Sequence, residues 1–202
     1  MAMFPLGSVL FPHVGLPLRV FEPRYRQLVL DCLEGDNSFG VVLIERGSEV
    51  GGGDTRFNVG TVARIVDAEP LADGTWAVTA IGVRRIRVRS WVEDRPYPRA
   101  SVDDHGGAPL TGDDAGAVTD LIGRLRKSLR LRAQANLATV SPDVRFNDDP
   151  AIAVWQACAV APIGPLDGLA LLRSDSATQQ IALLSSLLDD HDLLLAPRLG
   201  DI

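Results

Sequence analysis

The stretch from Phe4 to Tyr25, FPLGSVLFPHVGLPLRVFEPRY, holds four of the chain's thirteen prolines, each set among large apolar residues. Proline cannot donate the amide hydrogen bond that a central strand requires, so it is confined to strand starts, edges and corners. Short apolar pieces at Val9–Phe11 and Leu16–Phe21, broken by Pro12 and Pro17, therefore predict a strand that bends around a small barrel. Pro23 suits the first turn of a helix, where its missing amide costs nothing. From Tyr25 onward, Leu28, Val29, Cys32 and Leu33 recur at helical spacing and form one apolar face, which Gly35 stops.

The next hundred residues follow strand patterns. Phe39–Ile44 is a continuous apolar run and reads as a buried strand, while Gly47–Asn58, with three consecutive glycines, reads as a mobile loop. Gly60–Glu69 and Trp76–Arg84 are predicted strands joined across Asp73-Gly74, a pair that accepts the backbone of a tight hairpin. In Arg85–Val92, parity sets Ile86, Val88 and Val92 on one face and Arg85, Arg87, Arg89 and Trp91 on the other. Tyr97–Val102 closes the sheet.

A second set of motifs joins the opening one. Val59-Gly60-Thr61-Val62-Ala63-Arg64-Ile65, then Leu71-Ala72-Asp73-Gly74, then Gly82-Val83-Arg84-Arg85-Ile86-Arg87-Val88 follow PLxxVLFPxxxLPLRVFEPRY in order. Together they resemble the LON substrate-binding domain, the N-terminal domain of ATP-dependent Lon proteases. The resemblance implies an α+β protein: a PUA-like β-barrel with one inserted helix over residues 1–105, then a C-terminal α-helical bundle over 106–202. The acidic, glycine-rich stretch 103–116 acts as the linker.

Beyond that stretch every pattern is helical. Val118, Leu121, Ile122, Leu125 and Leu129 share one face. Asp149-Pro150 starts a second helix by the N-cap and N1 rule, with Ile152, Trp155, Cys158 and Ala159 inward. Pro162 and Pro165 separate it from a short helix bearing Leu169 and Leu172. Ser176 and Gln179 form a capping-box pattern ahead of a last helix with Ala177, Ile181, Leu184, Leu188 and Leu195 inward.

Composition narrows the function. A net charge of −6 opposes a general nucleic-acid surface, which is normally basic. The run Arg124, Arg126, Lys127, Arg130 and Arg132 falls on the solvated face of an amphipathic helix, lacks interleaved aromatics, and has the acidic stretch upstream as a partner. Lys127 is the chain's one lysine, and no Gly-Lys dipeptide supplies a phosphate-binding loop. Lys127 and Ser128 are adjacent on a helix, diverge by about 100°, and cannot form a nucleophile–base pair. His13, His105, His191, Cys32 and Cys158 show no metal-ligand spacing, and the two cysteines read as buried thiols. With no apparent secretory signal or membrane-length apolar run, a cytoplasmic location is the expectation.

The resemblance and these exclusions point to a non-catalytic polypeptide-binding protein without a cofactor, an adaptor or holdase in protein quality control. Its implied partners are unfolded or extended segments, together with a protease or chaperone. The candidate contact residues are Arg24, Tyr25, Phe57, Trp91 and Tyr97. Arg19, Glu22, Arg24 and Tyr25 match the opening motif, and their local alternative is structural: Glu22 capping the helix, Tyr25 packing beneath the barrel, the arginines pairing nearby. Trp91, placed beside arginines by parity, suits contact with a client or packing against a helix. A small-ligand or enzymatic use of the barrel and an RNA-binding PUA-like module are the alternatives.

Overall fold

The computed structural model describes residues 1–51, 53–110, 114–137 and 140–200, with the backbone alone described for 196–200. Residue 52 of the triple-glycine loop, residues 111–113 of the acidic stretch, residues 138–139 and the last two residues lie outside that description. The chain divides into two units, Met1–Gly106 and Gly107–Ile202.

The first unit contains β1 (Met3–Leu6), β2 (Gly15–Val20), α1 (Pro23–Glu34), β3 (Ser38–Arg46), β4 (Thr55–Pro70), β5 (Trp76–Val92) and β6 (Arg99–Asp104). The sheet runs β1-β3-β4-β5-β2, and β6 pairs with the far end of β5. All pairings are antiparallel except β1 with β3. The long β4–β5 hairpin is the spine of the unit. Its turn is the one predicted: Gly74 has φ 78°, and Asp73 Oδ1 accepts from both the amide and the hydroxyl of Thr75. The loop spans Leu71–Thr75, because Pro70 and Trp76 are the last paired residues.

The expected barrel is not closed. The end strands β1 and β2 share no ladder, and β6 meets the N-terminal segment through an isolated bridge, Ala2 to Arg99, and hydrogen bonds between Met1 and Ala100. Strand chemistry gives the reason. Ala2 uses its carbonyl toward β3, accepting from Gly40, whereas Met3 turns its amide the other way, to the Pro98 carbonyl. Alternation then puts Pro5 on Met3's side, facing outward with no amide to offer. The four-residue β1 has nothing further to pair, and β2 carries Pro17. The Val9–Phe11 piece is not a strand either. Leu10 and Phe11 are buried in a loop, with Thr61 Oγ1 donating to the Leu10 carbonyl at 2.6 Å.

Two apolar clusters fill the unit. One joins Phe4, Val20, Phe39 and Ala80 to the inward face of α1, on which Tyr25, Leu28, Val29 and Cys32 are buried. Leu33, expected on that face, is 38% exposed. The other groups Met3, Val42, Val62, Ile86, Val88 and Ala100 on the opposite side of the sheet. The glycines of the second motif set permit close crossings. A Cβ at Gly60 would collide with the Val41 carbonyl, and one at Gly82 with that of Phe11.

The second unit is helical: α2 (Ala115–Gln134), α3 (Pro150–Val160), α4 (Pro165–Arg173) and α5 (Ala177–Gly200). On α2, Ser128 joins Val118, Leu121, Leu125 and Leu129 in the core, while Ile122 is half-buried. Asp149 caps α3 as expected, its Oδ1 accepting from the Ala151 amide at 2.8 Å. The buried face of α3 is Ala153, Val154, Ala157 and Cys158, so the Ile152–Trp155–Ala159 face is off by one position. An almost uniformly apolar helix gives periodicity little to register. At α5, Ser176 Oγ accepts from the Gln179 amide, but the Gln179 side chain reaches Asp175 rather than Ser176.

Candidate functional site

The feature that closure would have removed is a pocket of about 90 Å³ between the two end strands. Phe4 and Leu6 line it from β1, Leu18 and Val20 from β2, and Phe21, Glu22 and Tyr25 from the corner into α1. Glu49 and Val50 of the β3–β4 loop complete the rim. Phe21 and Val50 are 53% and 54% exposed, so apolar surface continues from the pocket into solvent. A hollow of about 310 Å³ beside α1, lined by Pro23, Leu30 and Trp76, is already bridged by Arg26, whose Nη1 donates to the Gly74 carbonyl at 2.7 Å.

Pro23 starts α1 at the corner, and the main-chain carbonyl of Glu22 accepts from the amides of Tyr25 and Arg26. The Glu22 side chain does not cap the helix. Its Oε2 accepts from Arg24 Nε at 3.1 Å and from the Gly51 amide at 3.3 Å, which ties the loop to the corner. Arg24 and Phe4 sandwich Tyr25. The guanidinium lies 4.4 Å from the ring centroid, and the Phe4 ring is stacked at 4.1 Å. Burial raises the Tyr25 phenol to about 12, with Arg24 opposing that rise.

Tyr25 thus lines the pocket with Arg24 stacked against it, while Phe57, Trp91 and Tyr97 do not line it. Phe57 is half-buried on β4. Tyr97 is 7% exposed and precedes β6. Its hydroxyl donates to Asp31 Oδ2 at 2.6 Å, tying the loop to α1. That bond holds the Asp31 carboxyl low, while burial and the same bond lift Tyr97 to about 12.

Trp91 is on the face opposite to that set by parity. β5 slips register between Val88 and Ser90, so Arg89 is an extra residue and Trp91 turns inward beside Val88 and Ala100. Val92 faces out instead, 51% exposed. Arg56 lies 4.7 Å from the Trp91 ring and pairs with Asp54 at 2.5 Å and Asp94 at 2.7 Å. Burial alone would raise the Asp54 carboxyl, but the Arg56 bonds outweigh it and leave it below the usual range.

In the helical unit, two residues of the basic run pair with α5. Arg124 pairs with Asp189 at 2.7 Å and Lys127 with Asp192 at 3.8 Å. Burial pushes both Cys32 and Cys158 thiols up to about 12, the range of unreactive core cysteines. Among the described residues, no group of three or more His, Cys, Asp or Glu could hold a metal ion, and no helix is long and apolar enough to cross a membrane.

The site is an apolar pocket at the seam of an open sheet, and the polar groups of its corner, Glu22 and Arg24, are engaged in local structure. Residues 1–190 match the family of the ATP-dependent protease La (LON) substrate-binding domain, and the chain belongs to that family. It is 38% identical over 95 residues to a Lon protease of Cytophaga hutchinsonii and 35% identical over 98 residues to Lon protease 2 of Myxococcus xanthus. These matches cover 46% and 48% of the chain but 12% of either relative, so the chain corresponds to a small part of those proteases. Among solved structures, a Lon N-terminal domain protein from Xanthomonas campestris is 28% identical, with a TM-score of 0.60 and coverage of 94% of this chain and 96% of that one. The N-terminal domain of a Mycobacterium avium complex Lon protease shares the fold at 14% identity, with a TM-score of 0.69 over 94% and 98% of the two chains.

Sequence reasoning missed Phe21, Glu49 and Val50. Phe21 sits inside the opening motif, and its signal was its place just before the Glu22-Pro23 helix start. The loop pair gave none, because its position depends on a hydrogen bond to a residue 42 positions earlier.

Proposed function

We propose that this chain recognises polypeptides non-catalytically, taking an extended segment across the seam between β1 and β2 with an aliphatic or aromatic side chain in the pocket. Membership of a substrate-binding family supports the role. The carrying observation is the exposed apolar pocket at the unpaired ends of the sheet. Recognition by apolar pockets beside a strand edge suits segments that unfolded chains expose and folded ones hide. An adaptor role, handing such segments to a protease or chaperone, is the wider part of the same proposal.

A permanently unfolded, fluorescein-labelled polypeptide followed by anisotropy provides the test. Phe21→Ser removes an exposed anchor without opening a core cavity, and a central aromatic anchor is worth about tenfold or more in affinity. Binding by the unaltered chain and its loss in Phe21→Ser, at unchanged melting temperature, is the expected result. No binding, or binding indifferent to Phe21, overturns the proposal.

A further inference from the structure

The two end strands offer an incoming segment unlike edges. On the outer side of β1, the Met3 amide is spent on the Pro98 carbonyl, Pro5 has no amide, and the Gly7 amide just beyond is taken by the Glu49 carboxylate. That edge keeps acceptors alone. β2 is different. It pairs with β5 from Gly15 opposite Ile81 to Val20 opposite Trp76, and the missing amide of Pro17 fixes the alternation. Leu16, Leu18 and Val20 bond to β5, while Gly15, Pro17 and Arg19 turn their main-chain groups to the open side. Arg19 thus presents an amide and a carbonyl, and Pro17 a carbonyl, none of them bonded elsewhere among the described residues. Gly15, Pro17 and Arg19 are all exposed, and a Cβ at Gly15 would meet nothing within 4 Å. Leu18, Arg19 and Val20 line the pocket, so the free edge borders it directly. Charge narrows the ligand further. At the rim, Arg19 pairs with Asp73 and Glu22 with Arg24, and the exposed Glu49 has no ion pair among the described residues. The chain as a whole carries a net charge of −6, which draws cationic segments toward it.

We infer that β2, not β1, takes the bound segment as an added antiparallel strand, and that the preferred segment has a lysine or arginine two residues to either side of its apolar anchor. The inference rests on the pocket proposed above. The anchor lies opposite Leu18, with its side chain in the pocket and its own amide turned away from β2. One neighbour exchanges two main-chain bonds with Arg19, and the other donates one to the Pro17 carbonyl. Residues two away from the anchor return to the pocket face, where the Glu49 carboxylate meets a positive side chain. Pro17 leaves only half a pair at its position, which keeps the edge too poor for lasting strand-to-strand association yet sufficient for reversible capture.

The test uses the full chain and short fluorescein-labelled peptides read by anisotropy: a central Phe in a Ser/Thr background, with Lys two residues before and two after it. An N-methyl group is then moved along the peptide one residue at a time. Methylation of either neighbour of the Phe should weaken binding about tenfold, since it removes a main-chain bond and adds a clash, whereas methylation of the Phe amide should cost little. Exchanging both lysines for glutamates should weaken binding about fivefold. Glu49→Gln, which keeps an oxygen for the Gly7 amide, should erase that difference. Hydrogen exchange supplies an independent reading. The Arg19 amide should exchange freely in the unliganded chain and be protected when the lysine peptide is added, with the Leu18 amide protected throughout. A flat methylation profile, equal binding of lysine and glutamate peptides, or an Arg19 amide already protected by a second copy of the chain overturns the inference. In that event, loss of unfolded-client binding in Phe21→Ser leaves the pocket standing and removes only the added strand. A client indifferent to Phe21 removes both.

Discussion

Tyr25 and Tyr97 show how single side chains fix this fold. Both phenols are held to about 12, against an ordinary value of 10.0, chiefly by burial. A raised phenol contributes stability that is complete below pH 10 and is lost as the pH climbs toward 12. Phenolate absorbance should therefore stay near zero through pH 10.5 and rise together with the loss of far-ultraviolet circular dichroism. Ionisation of either tyrosine well before unfolding would contradict the packing described. Tyr97→Phe removes only the hydroxyl that donates to Asp31, and should lower stability in urea by about 1 kcal/mol, the usual worth of one such bond. At the same scale, the motif was legible as chemistry but not as placement. Glu22, Pro23 and Tyr25 announced a strand-to-helix corner, yet the sequence held no sign that the Glu22 carboxylate would turn from the helix end to Arg24 and Gly51.

Among elements, β5 carries the clearest lesson. Its alternation is legible through Val88, and the residues predicted to face inward up to that point, Ile86 and Val88, do so. The bulge at Arg89 then exchanges the two faces, and nothing in the composition of Val88–Val92 announces an extra residue. Trp91 becomes half-buried and lies against Arg56, whose side chain is 8% exposed and whose partner Asp54 is 2% exposed. Asp54→Asn should destabilise the protein by about 2–3 kcal/mol, because it strips a buried guanidinium of its better partner and leaves only Asp94. Since the Asp54 carboxyl is depressed in the folded state, its contribution is present at neutral pH and disappears as the pH falls through that lowered value. The stability gap between Asp54→Asn and the unaltered chain should accordingly narrow in acid. A gap that stays constant from neutral pH to pH 3 would remove the ion pair from the account. Helix α3 failed differently: with apolar residues on every side, its inward face is chosen by what it packs against, which a local pattern cannot contain.

For the whole molecule, the family resemblance carried the class of fold and the division into sheet and helices, while sheet closure was overestimated. A small barrel is a reasonable expectation for six strands, but closure depends on edge amides, and Pro5 and Pro17 occupy the two strands that would have to meet. The chain's two units each have a core of their own. We therefore expect residues 1–106 expressed alone to melt cooperatively and to keep Tyr97 unionised at pH 10.5. Loss of cooperative melting in that fragment would show that the sheet unit does not fold by itself.

The pairing of β2 with β5 has a consequence for how the protein is made. Gly15 pairs with Ile81 and Val20 with Trp76, so β2 finds its partner strand only after the hairpin has been translated. At about 5–20 residues per second, that leaves the nascent Leu16–Phe21 segment unpaired for on the order of several seconds. A chain proposed to hold the exposed segments of others begins its own existence with one of them.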